Sequence, residues 1–413
     1  MKTKSLYIST LEKGSGSLVV SIGLMQLLKS KYNRVAFFRP IIKNCNKKDS
    51  DIDTIKKYFN LRLSYEDSYG FCIDEVDDMI SNDKINNFYE IILEKVKKLE
   101  QNYDFILIEG IEKDLISIGL DFDINLGLAK HISAPYISVL NMKNKEYKHI
   151  IEDIKIEEKS IKKSGCIHFG TFVNRIDDKL ISRCKDYFKN SDLDYELNFL
   201  PQKDELEYLT IEQIKDNINC KYIFGKKEYL QKHIKSTKIA CMSVENFIKH
   251  IQGDDLIITS GDRVDIIMAI LTLYHTTNYP NISAIILTGG LKLDKTIKSL
   301  LESFNHLAIP ILSTNEDTYT TTKKIDSIKS IITYKNKTKI ATILGLFNTN
   351  IDIKRVEKKL QENNTNIVSP LMFQYNIFKK ARENKKTIVL PESFDSRILK
   401  ATQISIVSQI ANI

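Results

Sequence analysis

Short, fully apolar runs punctuate the chain, each followed by a longer amphipathic stretch, and this alternation restricts the possible fold more than any other feature. Ser5–Thr10 (SLYIST), Val35–Pro40 (VAFFRP), Phe105–Glu109 (FILIE), Tyr136–Leu140 (YISVL) and His168–Val173 (HFGTFV) read as buried strands. Helical patterns lie between them: LVVSIGLMQLLKSK after the first strand, and a stretch near Asn86–Glu100 whose Phe88, Ile91, Ile92, Val96 and Leu99 recur at helical spacing. Strands separated by helices build βαβ units, so residues 1–205 are expected to form an α/β domain with a doubly wound parallel sheet. The alternation then restarts. Strands are expected at Asp254–Ser260, Ile282–Thr288 and Ile309–Thr314, with helices at Val264–Tyr274 and Lys295–Phe304, giving a second α/β domain over 206–325.

Composition narrows the class. A chain of 413 residues, 42% apolar and 28% charged, is long enough for two or three domains and too apolar for wholesale disorder. No window approaches 18 consecutive apolar residues, which argues against a membrane span. The opening MKTKSLYIST lacks the apolar region of a secretory signal. Six cysteines (Cys45, Cys72, Cys166, Cys184, Cys220, Cys241) show neither CxxC nor Cys/His ligand spacing. Reduced thiols in a cytoplasmic protein are therefore expected, with no metal and no disulfide framework. The 61 Lys+Arg and 53 Asp+Glu leave +8, with the lysines interspersed among acids, so no nucleic-acid partner is implied.

The first strand–turn–helix has the outline of a phosphate-binding loop, in which backbone N–H groups and a helix N-terminus surround an anion. Within Leu11–Leu18, Gly14, Ser15, Gly16 and Ser17 form the candidate cradle. In the GxxxxGK[ST] frame only Gly16 keeps its place: Ser17 stands at the lysine position and Leu18 at the hydroxyl position. Glu109, at the end of FILIE and before Gly110, is the candidate acidic partner for magnesium. In the second domain, Asp262-Arg263 follows one strand and Thr288-Gly289-Gly290 the next, both at carboxyl ends where open α/β sheets gather ligand loops. Arg263 could grip an anion, or Asp262 could cap the following helix while Arg263 pairs with a neighbouring carboxylate.

SLYIST…GSGSL, VAFFRP and YDFILIEG together resemble the dethiobiotin synthetase-like, P-loop-type domain at the N-terminus of long phosphate acetyltransferases, and the second domain resembles the DRTGG domain of the same family. After a stretch read as a helical linker (326–366), residues 367–413 resemble the opening of the phosphate acetyl/butaryl transferase domain: Ser369, Pro370, Phe373 and Tyr375, a strand at Thr387–Glu392 carrying Val389-Leu390-Pro391-Glu392, and Arg397 opening the next helix. Ser393 stands where that family usually has glycine. The resemblance implies an incomplete third α/β domain that stops at Ile413, with the family's catalytic residues beyond it. It implies the reaction acetyl-CoA + phosphate ⇌ acetyl phosphate + CoA, with coenzyme A and acetyl-CoA as substrates and no required cofactor. A regulatory nucleotide on the first loop, a homo-oligomer, and a non-catalytic regulatory or oligomerisation role are further expectations.

Overall fold

The computed structural model describes residues 4–10, 12, 14–112, 120–191, 193–274, 276, 279–291, 293–303, 309–362, 368–392 and 394–413. It divides into two units, residues 1–202 with 343–413, and residues 203–342.

The first unit is built on seven strands: β1 (Ser5–Thr10), β2 (Val35–Ile42), β3 (Tyr69–Cys72), β4 (Phe105–Glu109), β5 (Tyr136–Asn141), β6 (His168–Ile176) and β7 (Glu196–Pro201). They lie in the order β3-β2-β4-β1-β5-β6-β7, and every neighbouring pair is parallel. The crossovers are made by helices α1 (Ser17–Lys31), α2 (Ser50–Tyr58), α3 (Ile73–Ser81), α4 (Ile85–Asn102), α5 (Leu120–Ile132), α6 (Tyr147–Ser164) and α7 (Asp178–Phe188). Sequential parallel strands require such crossovers, and helices on both faces account for the unbroken apolar runs. Register places Ile8 beside Glu109, so the carboxyl end of β4 opens beside the β1–α1 turn.

The second unit holds β8 (Leu209–Thr210), β9 (Lys221–Phe224), β10 (His233–Ile234), β11 (Ser236–Ile239), β12 (Asp255–Ser260), β13 (Ala284–Thr288) and β14 (Ile311–Ser313). Its main sheet runs β11-β12-β13-β14-β9, parallel except for β9, and β8 pairs antiparallel with β10. Helices α8 (Ile211–Asn217), α9 (Val244–Phe247), α10 (Val264–Tyr274), α11 (Lys295–Ser303) and α12 (Thr318–Ser327) complete it. Phe304 lies outside the described residues.

Helices α13 (Lys337–Asn350) and α14 (Ile353–Glu362) form within the stretch read as a linker, and from residue 343 onward they belong to the first unit. Phe347 is 1% exposed and stacks on Phe172, with ring centroids 6.0 Å apart. A Cβ on Gly23 of α1 would fall 2.1 Å from the Phe347 ring, so only glycine admits this approach. Helix α1 is therefore covered on its outer side as well, which explains why it is apolar nearly all round.

Two expectations are corrected. The strand at Thr387–Glu392 shrinks to β15 (Lys386–Thr387), paired only with β16 (Ala411–Asn412), and Ile388–Leu390 lie in no strand. Among the described residues no larger sheet pairs with that run. The flanking helices α15 (Pro370–Glu383) and α16 (Ser396–Val407) bury one residue, Met372, between them. Ser393 lies outside the described residues. The second correction concerns the thiols: Cys45 and Cys72 are joined by a disulfide, because the β2–β3 pairing brings their Cα atoms to 5.7 Å.

Candidate functional site

Among its described residues, the turn between β1 and α1 keeps the left-handed glycines of a phosphate loop. Gly14 and Gly16 are left-handed, at φ +70° and +79°. A Cβ at Gly16 would lie 2.4 Å from Nδ2 of Asn174, which donates to the Ser15 carbonyl at 2.7 Å, so this position needs glycine for both conformation and space. Gly16 brings no side chain to cap α1, and no acidic residue stands in the first turn, so the helix end itself would favour an anion. Leu11 and Lys13 lie outside the described residues.

The expected lysine position is filled by Ser17, whose hydroxyl donates to Glu109 Oε1 at 3.1 Å; Ser21, one turn on, donates to Glu109 Oε2. Glu109 is 1% exposed. Arg39 reaches it from β2, with Nη2 3.6 Å from Oε1. The same guanidinium binds both Asp49 oxygens at 2.9 Å and Asp51 Oδ2 at 3.0 Å. Three carboxylates thus share one buried cation. Burial raises the Glu109 carboxyl to about 7, Arg39 opposing and Asp51 adding to the rise. Burial also raises Asp51 against the pull of Arg39. For Arg39 burial acts downward, and the charges of Glu109, Asp49 and Asp51 overcome it, leaving the guanidinium held firmly charged.

The described residues do not fit a magnesium nucleotide. Such a site needs a free cation on the β- and γ-phosphates, a hydroxyl on the metal and an acid available to it. Here Glu109 is saturated by Ser17, Ser21 and Arg39, and Leu18 offers no oxygen. Lys145 also approaches the loop, but binds Glu12 at 2.7 Å and Asp153 at 2.9 Å. Gly14, Ser15, Gly16, Ser17 and Glu109 are thus brought together as the sequence suggests. Arg39, Asp49, Asp51 and Ser21 were not foreseen as their partners. The available signal was an arginine inside VAFFRP, since a charge in a buried strand must be paired.

In the second unit the Asp262–Arg263 and Thr288–Gly290 loops are tied into their surroundings. Arg263 grips Asp265 through Nε and Nη2, both at 2.9 Å, and donates to the carbonyls of Met242 (3.0 Å) and Ala240 (3.4 Å). The guanidinium is raised by that hydrogen bond to Asp265, and its fork is used within the chain. Asp262 is exposed, and its carbonyl accepts the Val264 N–H at 2.9 Å. Thr288 is buried, with its hydroxyl 2.8 Å from that of Thr318. Gly289 and Gly290 donate to the carbonyls of Glu316 (2.7 Å) and Thr314 (3.0 Å). Cavities of about 10 Å³ beside Pro280 and about 100 Å³ between α4 and α15 include none of these residues.

Comparison with known proteins matches an AAA domain to residues 4–191 and a DRTGG domain to residues 213–328. The phosphate acetyltransferase of Nitratidesulfovibrio vulgaris is 31% identical over 421 residues, covering 100% of this chain and 59% of that protein. That of Synechocystis sp. is 28% identical over 404 residues, covering 97% and 58%. The chain thus spans under two thirds of the length of these relatives. Among solved structures, the MinD cell division protein of Aquifex aeolicus aligns at 18% identity and a TM-score of 0.28 over 49% of this chain and 84% of that one, a likeness too low to argue from. An AAA domain match is thus followed by a DRTGG domain match, and over its whole length the chain is similar to the phosphate acetyltransferases.

Proposed function

We propose that the gene product carrying residues 1–413 is a phosphate acetyltransferase, exchanging the acetyl group between coenzyme A and phosphate. The 31% identity over the full chain carries this reading. Phosphate attacks the thioester carbonyl directly, and the protein orients the two substrates and hydrogen-bonds the developing oxyanion. The chemistry needs no metal. Residues 367–413 are the opening of the transferase domain, and the groups that polarise the thioester belong to the part of the relatives that this chain does not span. Residues 1–205 form a non-catalytic module, a role supported by the closed ion cluster on Glu109, and residues 206–325 form the regulatory DRTGG domain. The protein is a cytoplasmic homo-oligomer acting on small molecules.

Phosphate-dependent release of coenzyme A from acetyl-CoA tests the reading. The whole gene product is expected to turn over and residues 1–413 by themselves are not. A whole gene product without activity overturns the assignment. Turnover by residues 1–413, free of host enzyme, overturns the placing of the chemistry elsewhere.

A further inference from the structure

Cys45 lies three residues beyond the end of β2, and Cys72 closes β3, where it sits in register with Ile42. The bond between them encloses the segment that carries α2. Its two sulfurs differ in access: Cys45 is exposed, whereas Cys72 is 5% exposed and stands immediately before the first turn of α3. Glu75 accepts the Cys72 N–H at 2.8 Å and brings Oε2 to 4.0 Å from Cys45 Sγ. Cys166, Cys184, Cys220 and Cys241 are free.

The enclosed segment also supplies two of the three carboxylates of the buried ion cluster, Asp49 and Asp51. Asp49 caps α2 by accepting the N–H groups of Asp51 and Ile52, both at 3.0 Å, and holds Arg39 with the same carboxylate. The Asp49 N–H in turn donates to the Tyr65 hydroxyl at 2.6 Å. Whatever loosens the chain between 43 and 49 therefore acts on the start of α2 and on the carboxylate that holds Arg39.

We propose that Cys45–Cys72 is a reversible thiol–disulfide switch that fastens the β2–α2 loop and, through Asp49, the Arg39 cluster. In reduction, the thiolate of a small-molecule thiol attacks the exposed Cys45 Sγ, the S–S bond breaks, and Cys72 leaves as a thiolate. A second thiol attacks the mixed disulfide and releases Cys45. Two small-molecule thiols are thereby oxidised to one disulfide while the protein gains two thiols and two electrons. Oxidation is the reverse exchange, with a low-molecular-weight disulfide such as oxidised glutathione as the oxidant.

The experiment equilibrates the full chain in glutathione buffers of increasing oxidised fraction, denatures it in acid, labels thiols with N-ethylmaleimide and reads the intact mass. Six adducts are expected at the reduced end and four at the oxidised end, with a Cys45–Cys72 cross-linked peptide, from six cysteines of which four are free. Cys45→Ser and Cys72→Ser are each expected to remove the buffer dependence, and amides of 46–58 in the parent chain to exchange at least about tenfold faster when reduced. Six adducts in every buffer, a cross-link to another cysteine, or a bond that survives the most reducing buffer overturns the switch. So does loss of labelling only on addition of Zn²⁺, which would make Cys45, Cys72 and Glu75 a metal site. Unchanged exchange over 46–58 overturns the coupling to α2.

Discussion

Glu157 offers the cleanest test of the physical account, because no countercharge among the described residues opposes its burial. It projects from α6, is 1% exposed, and leaves Oε1 without a hydrogen-bond partner among the described residues. Burial raises its carboxyl from an ordinary value of 4.5 to about 8, opposed only by a hydrogen bond from Ser138. Between pH 4.5 and 8 the unfolded chain has lost this proton and the folded chain has kept it. Stability is then full at low pH and falls as pH rises, by up to about 1.4 kcal/mol per pH unit. Glu157→Gln keeps the shape and a neutral partner for Ser138 and removes the titration. The variant is expected to match the parent near pH 5 and to gain on it by about 3 kcal/mol between pH 5.5 and 7.5, read from urea unfolding followed by circular dichroism at each pH. His168, pushed down to about 4 chiefly by burial, costs both proteins stability as pH falls below 6.5, so the difference between them isolates Glu157. A difference that stays flat over that range would mean that Glu157 is ionised in the fold, and would refute the reasoning.

Arg39→Met removes the cation shared by Asp49, Asp51 and Glu109, and is expected to cost about 3–5 kcal/mol in urea unfolding at pH 8 and less near pH 5, where the Glu109 carboxyl, raised to about 7, is protonated; a loss below about 1 kcal/mol at pH 8 would show that the cluster contributes little. The chain is expected to release no phosphate from Mg-ATP, and steady turnover abolished by Glu109→Gln would show that the acid is available to magnesium after all. In hydrogen exchange, Ile388–Leu390 are expected to exchange fast, since Val389 is 84% exposed and lies in no strand, whereas Ile106–Ile108 and Ile285–Leu287, in the middle of their sheets, exchange slowly. Equal protection at all three would mean that the tail pairs with a sheet.

The fold was legible where a strand carries its own signature. FILIE and AIILT announce burial on both faces, and both are central strands. Signals that depend on distant partners were not readable in this way. The apolar run Ile388-Val389-Leu390 has the composition of a central strand, yet a strand exists only where neighbours accept its hydrogen bonds, and among the described residues the two-residue β16 pairs with Lys386–Thr387 and stops short of the run. KIATILGLF was legible as a helix but not as the outer cover of α1, because the fit of Phe347 against Gly23 joins positions more than 300 residues apart. Lys339 in the same stretch would ordinarily be assigned to solvent. It is 1% exposed and donates to the carbonyls of Leu206 (2.9 Å) and Tyr208 (2.6 Å), a role visible only once those carbonyls have left water.

The candidate site divides along the same line. Gly16 and Glu109 stand where a nucleotide-binding fold places them, because the strand–turn–helix and the end of β4 are local features. Whether Glu109 serves a metal or the protein depends on positions 17, 21 and 39, which lie on α1 and β2. A lysine at 17 and a hydroxyl at 18 would leave the carboxylate for a magnesium shell. With Ser17, Ser21 and Arg39 instead, its lone pairs are taken within the chain, and its charge is balanced by a guanidinium that Asp49 and Asp51 already hold. The same carboxylate at the same strand end has therefore passed from the chemistry of a ligand to the cohesion of the sheet and its first helix. The β2–α2 loop that supplies Asp49 sets how firmly that arrangement is held.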